Sequence, residues 1–290
     1  MYAIVMTNTG RPPAYGVNAF LNGLDYYGHD NIDFYLLQGG MNQDYLSVLR
    51  NKPFIYDVKI IDINDLKKRY PNHFNPKENA WYAKFYRYQF ASELTNYDAV
   101  MIVDSDMCCV NNVTQFFEIA HKTGLFITPN NNWGMEIDKY NIDGVNGAAS
   151  PPLHNMPCFF DPVKWEKVLT AVIPFNLKRK AGGDMMTLFH CHHNLKTLDR
   201  IHILPNNLWL QTGFYDRTLK KINTGKRYIS DHGDRLNMFH RRWWMKKVCD
   251  KFVGDIKQDN FKKIGRNNVD IFYDFYSYFN KSWKVILDGQ

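Results

Sequence analysis

Residues 99–103 are five consecutive apolar residues that run directly into Asp104-Ser105-Asp106. A wholly apolar run this short is what a strand buried on both faces requires, and such strands belong to parallel sheets covered by helices. Other strand-like stretches are residues 2–9, an apolar run ending in small polar residues, 32–37, 58–63 and 124–128. Helical patterns separate several of them. Residues 12–28 start at a proline and close at Gly28, residues 78–95, ENAWYAKFYRYQFASELT, predict one long helix, and a helical pattern returns at 162–172. Strand–helix alternation of this kind predicts an α/β fold, a mostly parallel sheet with helices on both sides. Ligands of such sheets bind beyond the carboxyl ends of the strands, so the polar residues there are the first place to look for a site.

Asp104 and Asp106 stand at such an end. Side chains alternate along a strand, so both project to one side. Two adjacent carboxylates repel unless a cation lies between them, and hard oxygen ligands with room for water and phosphate suit Mg²⁺ or Mn²⁺. The plainer alternative is a loop start with two solvated acids. A bare D-x-D is common. An apolar strand ending in D-x-D, about one hundred residues into an alternating α/β chain, is far more specific.

With those residues in view, the chain resembles the GT-A glycosyltransferases, especially the glycogenin-like and bacterial galactosyltransferase-like branch. Several stretches match in order over roughly residues 1–245. Residues 3–9 look like the first strand, whose end, Thr7-Asn8-Thr9, holds the nucleotide base and ribose. Residues 81–88 look like the helix that carries a basic residue toward the donor diphosphate, with Lys84 and Arg87 as the candidates. Lys84 shares a helix face with Tyr88 and Ala91. Asp104-Ser105-Asp106 matches the D-x-D, with Asp104 and Ser105 near the nucleotide. Residues 155–162, NMPCFFDP, look like the strand under the acceptor site. Gly182-Gly183-Asp184 resembles the step that sets an acid near the transferred sugar. Residues 203–207 look like the strand after it. His240 resembles the late histidine that completes a metal site with Asp104 and Asp106. The resemblance implies a nucleotide-sugar donor, most simply a UDP-sugar, and Mn²⁺ or Mg²⁺ as cofactor. Asp184 would deprotonate the acceptor hydroxyl or stabilise an oxocarbenium-like state; as a helix start after two glycines it also reads as an N-cap. The chain departs from the family pattern in Met185, where Gln is favoured after the acid, and in Arg241-Arg242, where glycine and lysine follow the late histidine. His232 competes with His240 as ligand. His240 is preferred because it ends an apolar run, residues 235–240, read as a late strand.

Other features read more plainly. His190 and His193 share a helix face but lack a second ligand pair at zinc spacing, so residues 183–195 predict an ordinary helix ending in favourably placed cations. The Met185-Met186-Leu188-Phe189 stretch reads as core. No glycine-rich phosphate loop motif occurs in the 290 residues. Five cysteines without a CxxC predict no disulfide framework and a reducing cytoplasm, that of the host if the chain is viral. No apolar run approaches the roughly 18 residues of a membrane span, and the N-terminus reads as lacking a signal peptide.

Charge divides the chain. Residues 1–150 hold 12 basic and 16 acidic residues, residues 151–290 hold 24 and 13, and residues 217–266 alone hold 15 and 5. The back half therefore predicts contact with something anionic, or a solvated basic surface. In the basic segment, Arg241, Arg242 and Trp243 lead a mixture of cations and aromatics of the kind that neutralises phosphates and stacks on bases. DNA is thus a candidate acceptor, as for phage enzymes that glycosylate hydroxymethylated pyrimidines. An enzyme acting on a base must extrude it, and the Asn/Gly/Pro-rich residues 129–157 would help form the pocket. A glycan such as lipopolysaccharide core is the alternative acceptor. A catalytically inactive nucleic-acid-binding module on the same fold, and a metal-dependent nuclease, are the rival classes. The nuclease is disfavoured because no third acid lies near the pair. The expected organisation is a glycosyltransferase domain over 1–245 and a small basic, aromatic appendage over 246–290.

Overall fold

The structure is a computed structural model. It describes residues 1–8, 17, 20–21, 24, 31–41, 43–51, 57–71, 82–105, 107–109, 112–129, 156–179, 184–204, 209–211 and 229–231. Seven strands form the main sheet: β1 (Tyr2–Asn8), β2 (Ile32–Gln38), β3 (Val58–Asp62), β4 (Ala99–Asp104), β6 (Phe126–Pro129), β7 (Cys158–Phe160) and β8 (Ile201–Leu204). Their order is β3-β2-β1-β4-β7-β6-β8, with β7 antiparallel to both neighbours and every other pair parallel. A second sheet joins β5 (Met107–Cys109), β10 (Ile229–Asp231) and β9 (Trp209–Gln211). The expected mostly parallel α/β architecture is the observed one.

The apolar runs account for the centre of the sheet. Residues 3–6 of β1 and 99–103 of β4 are completely buried, because helices cover both faces. On one face lies α4 (Thr114–Thr123), whose Phe117 stacks on Tyr2 at 4.9 Å and meets Phe159 edge-on at 5.2 Å. A left-handed Gly124 ends α4, its N–H returning to the Ala120 carbonyl at 2.9 Å. The other face carries α3 (Tyr86–Ser92), then α5 (Pro162–Arg179) against α3 and α6 (Asp184–Asn194) against α5. Asp161 opens α5: its carboxylate accepts from the Val163 and Lys164 backbone N–H groups at 3.0 and 3.2 Å, with Pro162 at the first position. Smaller helices α1 (Gln43–Asn51) and α2 (Ile63–Arg69) follow β2 and β3.

Three sequence expectations need correcting. Where the long helix was expected over 78–95, the described part, from residue 82 on, is a 3₁₀ turn, Tyr82–Phe85, followed by the short α3, which ends at Ser92. Packing decides this, since Phe85, Tyr86, Tyr88 and Phe90 are all buried around the turn. The helix expected over 162–172 runs on through Pro174 to Arg179. Buried Val172 and Ile173, and an Asn176–Thr187 hydrogen bond of 3.0 Å to α6, hold its second half despite the proline. The histidines ending α6 are not all surface cations: His192 is sealed between the Phe126 and Trp165 rings, and burial lowers its pKa to about 3. The late strand at 235–240, most of residues 12–28 and 129–157, and the appendage 246–290 lie outside the described residues.

Candidate active site

Strand order reverses at β1, which has β2 on one side and β4 on the other. That switch point opens a crevice beyond the strand ends. Thr7 of β1 is register partner of Asp104 of β4, and Asn8 of Gln38 in β2. Paired residues share a face, so Thr7 and Asp104 project together toward the α3 side. Cys158 does the same, because its partner is Ile102, two residues before Asp104. The Thr7 hydroxyl is buried without a hydrogen-bond partner among the described residues. Gln38 donates to Asp62 at 2.6 Å, and Asp62 in turn caps α2 through the Asn64 N–H at 2.7 Å, so these two secure the neighbouring strand ends.

From the opposite wall, the 3₁₀ turn and α3 present Lys84, Arg87 and Tyr88. α6 presents Asp184 as its first residue, where a carboxylate is favoured by the helix dipole. These side chains form one row of alternating charge. Lys84 Nζ lies 2.6 Å from Asp184 Oδ1. The other Asp184 oxygen accepts from Arg87 Nη2 and, at 3.3 Å, from the Tyr88 hydroxyl. Arg87 Nη1 then donates to Asp104 Oδ1. Exposure differs along the row: the Arg87 and Asp184 side chains are 2% and 8% exposed, whereas Lys84 is 24% and Asp104 31% exposed. The buried members form the interior of the row, and its two ends meet solvent.

The electrostatics follow from that geometry. Burial alone would raise the Asp184 pKa, but the Lys84 and Arg87 charges outweigh it and hold the carboxyl well below the usual carboxylate range. Burial likewise opposes the charge on Arg87, and Asp104 leads the groups that more than restore it. Beneath them, burial pushes the Cys158 thiol well above its ordinary range, so it is an inert core group. Cys158 and Cys191 are both free and buried.

The structure therefore joins Lys84, Asp184, Arg87 and Asp104 in one row, with Thr7 on the same face of the sheet and Asn8 and Ser105 beside it at the ends of β1 and β4. Thr9, Asp106, His240, its competitor His232, and Arg241, Arg242 and Trp243 lie outside the described residues. Among the described residues, no group of three His, Cys, Asp or Glu side chains could hold a metal ion, and no helix is long and apolar enough to cross a membrane. Sequence reading did not foresee that Arg87 is sealed between two carboxylates. Tyr88 was legible as a neighbour of Lys84 through its i, i+4 spacing, but not as a partner of Asp184.

No protein-family model and no curated protein matches the sequence. Solved structures do match it in shape. Mouse xyloside xylosyltransferase 1 aligns with a TM-score of 0.54 at 10% identity, covering 79% of this chain and 96% of the other. The glycosyltransferase GlyE of Streptococcus pneumoniae aligns at 0.57 and 14% identity, covering 97% of this chain and 62% of that protein. The galactosyltransferase LgtC, solved with donor and acceptor sugar analogues, aligns at 0.54 and 10% identity, covering 86% and 95%. The chain thus spans nearly the full length of two of these and under two thirds of the third. The seven-stranded sheet, with its antiparallel β7 and flanking helices, is the GT-A fold of these glycosyltransferases.

Proposed function

We propose that the chain is a glycosyltransferase that moves a sugar from a nucleotide-sugar, most simply a UDP-sugar, to an acceptor hydroxyl. The observation that carries this reading is the charge row at the switch-point crevice, ending at Asp104 where β4 meets the loop. Thr7, Asn8 and Ser105 would hold the nucleoside side of the donor, and the buried, unpartnered Thr7 hydroxyl suits a polar ligand there. Lys84, the cation at a solvent-facing end of the row, would meet the diphosphate.

A hard divalent cation would need ligands beyond the described residues, to which Asp104 would add its own. Asp104 supplies oxygen ligands at the crevice mouth, and Arg87 engages only one of its two oxygens among the described contacts. Asp106 and His240 would complete the set by the resemblance. When bound, Mn²⁺ or Mg²⁺ neutralises charge that grows on the departing nucleoside diphosphate. Asp184 is then an orienting and electrostatic group and not a general base: a carboxylate engaged by two cations and a hydroxyl, with a depressed pKa, is a poor proton acceptor.

For the acceptor we take a hydroxymethylated pyrimidine in DNA, because residues 217–266 combine 15 basic with 5 acidic residues and include Tyr228, Phe239, Trp243 and Trp244. Such an enzyme works in a cytoplasm, as five cysteines without a CxxC favour. The test has two stages. Nucleotide-sugars are screened for thermal stabilisation with Mn²⁺, and the best donor is offered to hydroxymethyl-pyrimidine DNA, unmodified DNA and a lipopolysaccharide core glycan. Stabilisation followed by transfer to the modified DNA alone supports the whole reading. Transfer to the glycan alone keeps the enzyme and replaces the acceptor. Nucleic-acid binding without any turnover of a nucleotide-sugar would instead identify an inactive binding module.

A further inference from the structure

The charge row has a feature that a simple donor site does not need. Its exposed cation already has a partner within the protein: Lys84 Nζ sits 2.6 Å from Asp184 Oδ1. Arg87 cannot substitute for it, because that guanidinium is sealed between Asp104 and Asp184 and only 2% exposed. An anion entering the crevice therefore reaches a cation that must be taken from a carboxylate. Asp184 is able to let it go, since Arg87 and the Tyr88 hydroxyl still hold its other oxygen.

From this geometry, and resting on the donor reading above, we infer that Asp184 is an intramolecular competitor of the donor diphosphate for the Lys84 ammonium. Diphosphate binding exchanges the partner of Lys84, so the ion pair with Asp184 sets a cost that every diphosphate-bearing ligand of the site must meet.

The test measures binding of UDP with Mg²⁺, and of pyrophosphate with Mg²⁺ as a probe that does not depend on the base, by titration calorimetry. Wild type, Asp184→Asn, Lys84→Ala and the double variant are compared. Lys84→Ala should weaken both probes about tenfold, the scale of a charge-assisted hydrogen bond. Asp184→Asn should tighten both about fivefold, the upper end of what a partly exposed ion pair contributes. In the Lys84→Ala background the Asp184→Asn change should have no effect. Equal tightening in both backgrounds would mean that Asp184 merely repels anions, and overturns the inference. Weakening by Lys84→Ala with no gain from Asp184→Asn also overturns it, and leaves the donor reading standing. Absence of binding of either probe to wild type removes the donor reading and the inference together. Far-UV circular dichroism checks that each variant is folded; should Asp184→Asn fail, Asp184→Ser keeps an oxygen at the start of α6 and carries the same expectation.

Discussion

Replacing Arg87 by methionine removes the cation that Asp104 and Asp184 share. The substitution keeps the aliphatic length, so it isolates the charge. Breaking a buried ion pair by deleting one partner costs about 3–5 kcal/mol, because the remaining charge is left uncompensated. Two observations place the expected loss near the lower end. Asp184 keeps Lys84 at 2.6 Å and Tyr88 at 3.3 Å, and Asp104 is 31% exposed and partly hydrated. A loss of about 3 kcal/mol corresponds to a fall in Tm of roughly 6–12 °C for a chain of this size. Thermal melts followed by circular dichroism, at neutral pH and without nucleotide, measure it. Adding Asp184→Asn to Arg87→Met removes one stranded charge and should recover part of the loss, a non-additivity expected of groups in contact. A folded Arg87→Met protein melting within about 2 °C of wild type would refute the reasoning. So would a double variant whose loss is the plain sum of the two singles.

Four further outcomes are expected. His192 has a pKa of about 3 in the folded chain because burial disfavours its charge, against about 6.5 when unfolded. Its contribution is complete above about pH 6.5 and is lost as pH falls toward 3, so His192→Phe should flatten the decline in Tm between pH 6.5 and 5, above the range where carboxylates dominate. Asp104→Asn should weaken nucleotide binding as well as turnover, and His240→Ala should raise the Mn²⁺ requirement more than His232→Ala does; the reverse order in Mn²⁺ titrations transfers the ligand role to His232. Charge reversal at Arg241 and Arg242 should lower the slope of log affinity for DNA against log salt, about 0.9 per neutralised phosphate, and leave UDP-sugar hydrolysis nearly unchanged.

The centre of the fold was legible because burial on both faces leaves a simple trace: residues 99–103 are apolar without interruption, and they form the middle of the sheet. The carboxyl end of that strand marked the site for the same reason, since polarity resumes there. Boundaries set by packing were not legible. Nothing local in the aromatic stretch around Tyr86 distinguishes a 3₁₀ turn plus a short helix from one long helix; the difference arises where Phe85, Tyr86 and Tyr88 are buried. The continuation of α5 past residue 172 was not legible either, since it depends on tertiary contacts such as that between Asn176 and Thr187. The partnership of Arg87 with Asp184 spans 97 positions, and a single sequence contains no signal for a pairing that distant. His192 misled for a related reason: its place among three neighbouring polar residues looks exposed, and only the approach of Phe126 and Trp165 makes it core.

The central claim, that the crevice at Asp104 turns over a nucleotide-sugar, is tested most directly by release of UDP from UDP-sugars in Mn²⁺, comparing wild type with Asp106→Asn. The account predicts Mn²⁺-dependent UDP release by wild type with at least one UDP-sugar. It predicts no release by the variant, whose Tm should match wild type. Undiminished release by the Asp106→Asn protein would contradict the placement of the site, and absence of release from every nucleotide-sugar by folded wild type would contradict the function itself.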